Sequence, residues 1–419
     1  MKLEWKYGRS TVKFEVPDSN IMSVLIPKEL PPVPNESEAI TEAIRSPVGT
    51  DPLSKMVGNG SKVALLVSDV TRPCPSRKVL APLLTGLLRS GVRKENITIY
   101  FATGMHRGHT PEERRALVGQ EIADKFRLVD HDSKDTDNLV SMGQTKRGTK
   151  VFINRAVMDC DVKIGVANLD IHYFAGYSGG AKSLMPGVAG FDTICQNHSM
   201  MLLPGAEPGR ADGNPVREDM EEVAGMAGLD FIVNVVLNDR REIVKVVAGD
   251  YVKAHREGVP PNDYMYKVPL PEKADIVIAS AGGYPKDINL YQAQKALDNA
   301  AFAVKDGGTI LLLANCGEGL GDKAFETWLM EADSPDDVIR KLRENFVLGG
   351  HKAFAIARLA KRAEIVLVSI LPETVAKKAF MSLAKSIEEA LKKAFGRQGS
   401  ESRIVLMPYA GSTLPQVNK

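Results

Sequence analysis

The sequence has little of what usually holds small or metal-centred domains together. Its four cysteines are scattered and form no CxxC pair or Cys/His finger, so neither a disulfide framework nor a structural zinc site is expected. There is no HExxH motif and no GxGxxG motif after a strand, which argues against a zincin-type protease and against a dinucleotide-binding enzyme. The cysteines suit a reducing cytosol.

The chain also lacks a charge excess and a long apolar run. Its 54 basic residues are offset by 52 acidic ones, and the net charge of +2 gives no electrostatic reason to expect nucleic acid or an anionic membrane as partner. No stretch is long and apolar enough to span a bilayer, and charges occupy the N-terminal positions where a signal peptide would be apolar. We therefore expect a cytoplasmic protein without nucleic-acid or membrane partners.

What the sequence does have is an alternation of apolar runs with amphipathic stretches. Continuous apolar runs are typical of buried parallel strands, and their alternation with helices indicates an α/β fold with mainly parallel sheets flanked by helices. Strands are predicted at 62–70, 97–102, 162–169, 275–280, 309–314, 364–370 and 403–407. Helices are predicted at 77–89, 112–117 and 288–304.

A length of 419 residues is too great for one hydrophobic core, so two domains are expected. The proline-rich segment 258–275 separates two series of strands and is predicted to cross between the domains. We predict a cofactor-binding domain over 1–265, rejoined by 403–419, and a substrate-closing domain over 270–402. The active site is expected in the cleft between them.

Reactive side chains gather in the loops that follow the predicted strands. In an open α/β sheet, ligands bind at the carboxyl ends of the strands. The loops 69–73, 103–109 and 170–174 follow strands of the first domain, and Arg72 in the first loop can hold a carboxylate through two hydrogen bonds. The equivalent loop of the second domain begins at Ala281.

Three of the seven histidines, His106, His172 and His198, fall in or near these loops. Histidine is the side chain best suited to exchange protons near neutral pH. A single histidine is more often a structural, hydrogen-bonded residue, and that interpretation is kept for His109 and His131. The shared position at one edge of a sheet favours a functional role for the other three.

A glycine-rich turn over 176–183 resembles the phosphate-binding P-loop, except that Ala181 stands where its second glycine would be. If the turn opens a helix, its backbone N–H groups can bind a phosphate. Lys182 would then lie at a helix N-terminus, where the local field disfavours its charge and makes covalent chemistry possible. The altered motif and the lack of a magnesium-binding partner disfavour a nucleotide triphosphatase.

A third group of polar residues lies near the start of a helix in the second domain. Tyr291 and Lys295 are four residues apart and share one helix face, with Gln292 beside them. Without further context these side chains are interpreted as a solvated helix face.

Together these residues resemble the nickel-pincer-nucleotide-dependent lactate racemase family of 2-hydroxy acid racemases and epimerases. The resemblance covers essentially the whole chain, and its five dispersed matches in the right order are far more specific than any single motif. The matching segments are 69–73, 103–106, 172–187, 197–200 and the group Tyr291, Gln292 and Lys295.

The resemblance implies a nickel-pincer nucleotide as cofactor, a pyridinium-3-thioamide-5-thiocarboxylic acid mononucleotide that holds Ni(II) and is covalently attached at Lys182. His198 would be the nickel ligand from the protein, in a square-planar site that suits Ni(II) better than zinc. Cofactor-synthesis proteins are implied as partners for loading. The other implied cofactor contacts are the turn 176–180, Asp69, Val70, Thr71, Arg72 and Pro186.

The activity implied by the resemblance is the racemisation or epimerisation of a small 2-hydroxy acid such as lactate, malate or a related acid. The C–H bond next to the hydroxyl is a poor acid. Loss of a hydride from carbon and of a proton from the hydroxyl gives a flat 2-keto acid instead, and return of the hydride to the other face inverts the centre. His106 and His172 match the two bases of the family. The implied substrate contacts are Arg72, Tyr291, Gln292 and Lys295.

The sequence departs from the family near the substrate's methyl group. Lactate-specific members carry a tryptophan there, whereas the best alignment of this chain gives Gly349-Gly350-His351-Lys352. His351 and Lys352 would suit a substrate with a second polar or anionic group, such as malate or a longer hydroxy acid. Alternatively, the two residues cap the helix that follows.

Two other functions stay open at this point. One is an α/β nucleotide-binding protein on a shared scaffold, either P-loop-like or a nicotinamide oxidoreductase. The other is a nickel- or cofactor-binding protein without racemase activity. Such a carrier would need Lys182 and His198, but it would have no use for His106, His172 and Lys295 together.

Overall fold

The structure is a computed structural model that describes residues 1–344 and 346–417. Within this part of the chain the strands are β1 (Lys2–Tyr7), β2 (Ser10–Glu15), β3 (Ile21–Val24), β4 (Val63–Ser68), β5 (Ile97–Ala102), β6 (Arg127–Asp130), β7 (Leu139–Gln144), β8 (Lys150–Asn154), β9 (Val162–Leu169), β10 (Ile171–His172), β11 (Gly176–Tyr177), β12 (Phe231–Leu237), β13 (Ile243–Gly249), β14 (Lys267–Leu270), β15 (Ala274–Ser280), β16 (Val304–Leu313), β17 (Glu364–Val368), β18 (Ser382–Ala384), β19 (Ile404–Met407) and β20 (Leu414–Val417). The α-helices are α1 (Glu36–Arg45), α2 (Leu53–Met56), α3 (Ser76–Arg89), α4 (Pro111–Val118), α5 (Gln120–Lys125), α6 (Arg155–Met158), α7 (Phe191–Ser199), α8 (Pro215–Ala227), α9 (Lys253–Tyr266), α10 (Leu290–Ala300), α11 (Lys323–Glu331), α12 (Pro335–Glu344), α13 (Gly350–Ala360), α14 (Glu373–Lys378) and α15 (Ile387–Gln398).

One compact unit, Glu29–Asp263, is built on a six-stranded sheet of order β13-β12-β9-β4-β5-β6. Neighbouring strands are parallel except β13, which pairs antiparallel with β12. The central strands β4 and β9 are apolar runs buried on both faces, as the sequence pattern predicts. Helix α3 packs on the sheet because its apolar residues recur at helical spacing and form one buried stripe, comprising Val79, Leu80, Leu83 and Leu87.

The strand order of this unit brings three loops to one edge. Strands β9, β4 and β5 are adjacent and parallel, so their carboxyl ends open at the same side of the sheet. The loop after β4 carries 69–72 and the loop after β5 carries His106. The chain after β9 runs through His172 into the glycine-rich turn. The predicted gathering of these loops is therefore confirmed.

The other unit consists of Met1–Lys28 together with Tyr264–Lys419. Its six-stranded sheet has the order β18-β17-β16-β15-β19-β3, and every pairing in it is parallel. The hairpin of β1 and β2 buries Trp5 and Phe14, whose ring centres are 5.1 Å apart in an edge-to-face contact. Helix α10 is capped by Asn289, whose side chain accepts a hydrogen bond from the amide of Gln292.

The observed units differ from the predicted domains at both ends of the chain. The prediction placed residues 1–265 in one domain and returned 403–419 to it. In the structure β3 and β19 pair with each other, and β19 also pairs with β15, so both termini belong to the second sheet. The reason is that β15 is buried and needs a hydrogen-bonding neighbour on each side. An apolar pattern identifies a strand, but it does not tell which sheet the strand joins.

The proline-rich segment 258–275 contains the division between the units, but it is not an irregular crossing. Pro260 and Pro261 lie inside α9, which runs directly into β14. The two prolines therefore lie within a helix, although proline usually interrupts one. Among the residues that the structure describes, no helix has the length and apolar character needed to cross a membrane.

Candidate active site

The loop after β4 places a buried carboxylate against a predicted catalytic histidine. Oδ2 of Asp69 lies 2.5 Å from Nδ1 of His106, and Oδ1 accepts hydrogen bonds from the amide and hydroxyl of Thr71. Burial alone would raise the pKa of Asp69, but the hydrogen bond and charge of His106 outweigh it and lower this pKa below its usual value. An ionised Asp69 accepts from Nδ1–H of His106, so Nε2 of that ring carries the lone pair that a base needs.

His109 holds the same loop in place. Its Nδ1 lies 2.6 Å from Oδ1 of Asp130, and its Nε2 lies 3.1 Å from the amide nitrogen of Val70. Because the Val70 amide can only donate, Nε2 of His109 is the acceptor and Nδ1 carries the hydrogen. The guanidinium of Arg114 binds the other oxygen of Asp130 at 2.6 Å. The structural contact of His109 is thus with Val70, the residue that follows Asp69.

His172 lies among aromatic rings and positive charges. Its ring is 5.0 Å from that of Tyr173 and 4.6 Å from that of Phe174, centre to centre. Burial, followed by the positive charges of Lys182 and Arg72, holds the pKa of His172 well below its usual value. The ring is therefore neutral at physiological pH.

The hydrogen bonds of His172 define which of its nitrogens carries the hydrogen. Nδ1 accepts a hydrogen bond from the amide of Ala175 at 3.2 Å, so in this geometry the neutral ring carries its hydrogen on Nε2. For Nε2 to accept a proton, that hydrogen must sit on Nδ1, and the contact with Ala175 must be given up. The base role predicted for His172 therefore requires a small rearrangement, as is common before a substrate binds.

The glycine-rich turn is held by its carbonyl groups. Six consecutive carbonyl oxygens, from Phe174 to Gly179, accept hydrogen bonds from outside the turn. The donors are Asn214 to residue 174, Arg217 to residues 175, 177 and 179, the amide of Gly209 to residue 176, and His255 to residue 178. The conformation of this turn is therefore set by side chains from α8 and α9.

Glycine is required at the start of the turn. Gly176 has a φ of +74°, and a Cβ at this position would lie 1.8 Å from the carbonyl oxygen of Arg210. The amide of Gly180 donates to Oδ1 of Asn234 at 2.7 Å. The predicted helix after the turn is wrong, because Gly180–Ser183 forms only a 3-10 segment and α7 begins at Phe191.

Lys182 lies in this 3-10 segment, with its Nζ 5.9 Å from the ring centre of Phe174. Burial, followed by the positive charges of Arg217 and Arg72, holds the pKa of Lys182 well below its usual value. The predicted cause, the field of a helix N-terminus, is replaced by burial and two guanidinium groups. The direction of the effect is the predicted one, since a lower pKa leaves more of the lysine in the neutral form, which is the nucleophilic one.

His198, the predicted nickel ligand, is buried near the end of α7 with its Nδ1 3.1 Å from Oδ1 of Asn197. The side-chain NH₂ group of Asn197 donates to Oδ2 of Asp219 at 2.9 Å and to the main-chain carbonyl of Val216. These contacts fix the orientation of the amide, so the atom that faces His198 is the oxygen. Nδ1 of His198 is therefore the donor and Nε2 is the nitrogen with the lone pair. A hydrogen bond from one ring nitrogen to a neighbouring side chain is a common way for proteins to orient a histidine toward a metal.

The donor set fits the implied cofactor. In the described part of the chain, no cluster of three or more His, Cys, Asp or Glu side chains could hold a metal ion, so a metal at His198 needs ligands from another group. A nucleotide that brings its own sulfur and carbon ligands meets that requirement. Nζ of Lys182 lies 5.9 Å from the ring centre of Phe174, and that ring is 5.1 Å from the ring of His198, centre to centre.

The remaining predicted cofactor contacts lie around these loops. Val70, Thr71 and Arg72 are exposed beyond Asp69. Pro186 lies beside the loop after β5, where the amide of Gly104 donates to the carbonyl of Gly187 at 3.0 Å. The structure thus connects the segment after Lys182 with the loop that carries His106.

The predicted substrate residues outside this unit lie on α10 and α13. Nζ of Lys352 donates to the carbonyl of Tyr291 at 2.6 Å and lies 3.9 Å from the centre of its ring. Burial, followed by the charge of Lys295, lowers the pKa of Lys352 to about 7, against the opposite effect of two nearby aspartates. Gln292 and Lys295 are exposed on α10. Together, Tyr291, Lys295 and Lys352 form what is called the amine cluster below.

His351 is placed differently from Lys352. Its Nδ1 accepts a hydrogen bond from the amide of Gly349, the residue before α13, and its ring stacks on Phe346 with centres 5.8 Å apart. Burial lowers the pKa of His351 to about 3. This local contact at the helix start supports the alternative prediction of a cap for His351. Lys352 instead joins α13 to α10.

Sequence reasoning did not assign the polar residues that hold the turn and His198. Asn214, Arg217 and His255 lie in or beside ordinary helices and form no recognisable motif, and Asn197 lies in the matching segment 197–200 without a role of its own. Only Asn234 gave a visible signal, because it interrupts the apolar strand β12. A polar side chain in a buried strand needs a partner, and that partner is the turn.

Comparison with known proteins fits this geometry. Residues 7–209 match the lactate racemase N-terminal domain and residues 270–414 match the lactate racemase C-terminal domain. The lactate racemase of Thermoanaerobacterium thermosaccharolyticum is 34% identical, with 98% of each chain covered. The lactate racemase of Lactiplantibacillus plantarum is 32% identical, with 97% of each chain covered.

Solved structures lead to the same family. The lactate racemase apoprotein from Thermoanaerobacterium thermosaccharolyticum, 34% identical, superposes with a TM-score of 0.91 and covers 99% of this chain and 100% of its own. A Thermotoga maritima protein of known crystal structure is 18% identical with a TM-score of 0.66, covers 93% of this chain and 100% of its own, and shares the fold. The P-loop-like and nicotinamide alternatives therefore have no support. The chain belongs to the lactate racemase family and is an enzyme of the isomerase class.

Proposed function

We propose that this enzyme interconverts the enantiomers of a small 2-hydroxy acid, lactate or a related acid, with the help of a nickel-pincer nucleotide attached at Lys182. The observation that carries the proposal is the composition of one sheet edge. An Asp69–His106 pair, a neutral His172 and a Lys182 whose pKa is held well below its usual value follow three adjacent strands. A carrier of nickel or of the cofactor would need the lysine, but it would not need a carboxylate-oriented base beside it.

The cofactor would supply reversible acceptance of the C2 hydrogen as hydride, which together with loss of the hydroxyl proton leaves a flat 2-keto acid. Lys182 and His198 would hold this group, and the turn 176–180 with Asp69, Val70, Thr71, Arg72 and Pro186 would surround its nucleotide part. His198 suits this role because Asn197 holds its Nδ1–H and leaves Nε2 as the electron-pair donor.

His106 and His172 would take the hydroxyl proton, one for each enantiomer. For His106 the ionised Asp69 stabilises the imidazolium that forms when Nε2 accepts the proton. For His172 the charge of Arg72, and that of Lys182 whenever its amine is protonated, have the opposite effect. A Lys182 that has become an amide can no longer be protonated, so attachment of the cofactor excludes the second of these charges.

The substrate carboxylate would be bound by Arg72, Tyr291, Gln292 and Lys295, and a second polar group by Lys352. Lys352 is buried beside Lys295 and has a pKa of about 7, so an anionic group placed there would be favoured by both amines. This favours malate or another acid with a second anionic group, in addition to lactate. His351 is less suited to bind that group, because its Nδ1 already accepts a hydrogen bond from the amide of Gly349 at the start of α13.

The intact mass of protein purified from its native host tests the proposal. A covalent adduct on Lys182 with one nickel per chain is the expected result. An unmodified mass with no nickel, in protein that racemises 2-hydroxy acids, would contradict the cofactor assignment. Loading by cofactor-synthesis proteins belongs to the same proposal. Protein made in a host without that pathway is therefore expected to be unmodified and inactive.

A further inference from the structure

Arg217 is a fully buried arginine that binds the main chain of a single turn. It lies near the start of α8, three residues after the helix cap Asn214. Its side chain is among the largest that are fully buried. Its Nε donates to the carbonyl of Ala175 at 3.3 Å and its Nη1 to the carbonyl of Gly179 at 3.1 Å. Its Nη2 donates to the carbonyl of Tyr177.

A charged guanidinium in this position lacks the usual compensation. Among the residues that the structure describes, no carboxylate forms an ion pair with Arg217. Glu221, whose charge favours the protonated form, forms its own ion pair with Arg256 at 2.8 Å. Burial lowers the pKa of Arg217 to about 10, so it still carries its charge at physiological pH. A buried charge without a counter-ion is unfavourable for stability alone and calls for another reason.

The geometry gives that reason, because the fork of Arg217 matches alternate carbonyls of the turn. Residues 175, 177 and 179 present their oxygens to one planar group with several N–H donors. The carbonyl of Gly179 also accepts the amide of Lys182 at 3.2 Å. The oxygen of Gly179 therefore connects the guanidinium directly to the backbone of Lys182.

We infer that Arg217 is a positioning residue for Lys182, which fixes the turn that leads to Lys182 and places a positive charge near its amine. This role accounts for two features of the site. One planar group holds the carbonyls of residues 175, 177 and 179 together, and the lysine must be uncharged before it can form a covalent bond. The functional meaning of this role rests on the proposed attachment of the cofactor at Lys182.

The charges around Lys182 agree with this inference. After burial, the positive charge of Arg217 is the next largest cause that lowers the pKa of Lys182, and it comes before that of Arg72. Arg72 belongs to the exposed loop after β4, whereas Arg217 is fixed in the interior. Among the described residues, His172 also interacts with Lys182, and burial holds the pKa of its own ring well below the usual value. Removal of Arg217 is therefore expected to shift the titration of Lys182 upward.

The test uses the apoprotein and needs no cofactor. Trace acetylation with acetic anhydride is measured by peptide mass spectrometry from pH 6 to 11, with Lys182 normalised to the exposed Lys94. In Arg217→Met we expect about tenfold slower labelling of Lys182 at each pH below its midpoint, which corresponds to a midpoint about one pH unit higher. In Arg217→Lys the charge stays, so the midpoint stays near that of the wild type.

Both variants are expected to lose the fork, so hydrogen exchange of the amides in 174–183 becomes faster in each. Arg147→Met is the matched control, because Arg147 pairs with Glu218 on the surface of α8 and does not bind the turn. A folded Arg217→Met protein with wild-type labelling and exchange would overturn the inference. Equal shifts of the midpoint in both variants would overturn the charge part of it. If Arg217→Met does not fold, unchanged exchange over 174–183 in Arg217→Lys overturns the positioning role.

The outcome is independent of the proposed function. If wild-type protein from the native host carries no adduct, the attachment at Lys182 is wrong, whereas the labelling profile still reports on Arg217. If the adduct is present, Arg217→Met expressed in the same host is expected to show a loaded fraction at least about tenfold lower by intact mass, in line with the slower amine reaction.

Discussion

The glycine-rich turn and the amine cluster are built in opposite ways. Each carbonyl from Phe174 to Gly179 has a hydrogen-bond donor from elsewhere in the fold, and most of these donors are buried side chains. In the amine cluster, Lys352 donates a hydrogen bond to the carbonyl of Tyr291 and lies over its ring, while Lys295 is exposed. Under the proposed function, the part that binds the cofactor is fixed by buried main-chain contacts, whereas the part that selects among substrates consists of side chains that single substitutions can change.

The largest effect is expected from removal of the proposed attachment point, Lys182. Lys182→Ala is expected to abolish both the covalent adduct and racemisation, because the neutral amine of Lys182 is the group proposed to form the bond. Intact mass and a racemisation assay on protein from the native host measure the two effects. Lys94→Ala, on the surface, serves as the control. Full activity with bound nickel in Lys182→Ala would show that the attachment is elsewhere.

The three histidines are expected to separate into two classes. His198→Ala should lose nickel, because its Nε2 is the proposed ligand. His106→Ala and His172→Ala should keep nickel and the adduct but lose about 10²–10⁴-fold in turnover, the usual contribution of a general base. Metal content by elemental mass spectrometry and turnover with each enantiomer are the measurements. Equal loss of nickel in all three variants would mean that the roles are misassigned.

Lys352 is the residue that should sharpen the contrast between the two regions. Lys352→Ala is expected to cost about 2–5 kcal/mol in the turnover of malate and to spare lactate, because only malate brings a second carboxylate. A carboxylate prefers the protonated amine, so the apparent affinity for malate should fall as the pH rises through the pKa of about 7. Lactate should show no such change. Equal losses for both substrates would leave Lys352 as a packing residue.

The smallest effect is expected at His109. His109→Ala removes the acceptor of the Val70 amide, so the loop with Asp69 loosens and turnover falls about tenfold at unchanged nickel content. His109→Gln keeps an acceptor and a donor and should recover part of the loss. No difference between the two variants would limit His109 to a general role in stability.

Much of the fold was predictable because buried strands have a clear apolar pattern. The strands at 97–102 and 162–169 were predicted with their observed bounds. The pairing of β19 with β15 and β3 was not, since sequence patterns carry no information about partners far along the chain. Pro260 and Pro261 indicated a linker, but tertiary context keeps them within α9.

The candidate site also contains residues that the sequence predicts and residues that it does not. His106, His172, Lys182 and His198 could be named from motifs, because their chemistry depends on residue type and on position after a strand. Arg217 and His255 could not, because they act through main-chain carbonyls of residues about 40 and 77 positions away. Such contacts depend on how α8 and α9 fold back over the turn, which no local pattern specifies.

The central claim is that the hydrogen at C2 moves as a hydride while His106 and His172 handle only the hydroxyl proton. A single-turnover reaction of the loaded enzyme with C2-deuterated substrate in ordinary water tests it most directly. We expect slower turnover and an inverted product that keeps its deuterium at C2, as measured by mass spectrometry and chiral chromatography. Complete replacement of that deuterium by solvent hydrogen would contradict it, because a proton taken from carbon by a histidine would exchange with water.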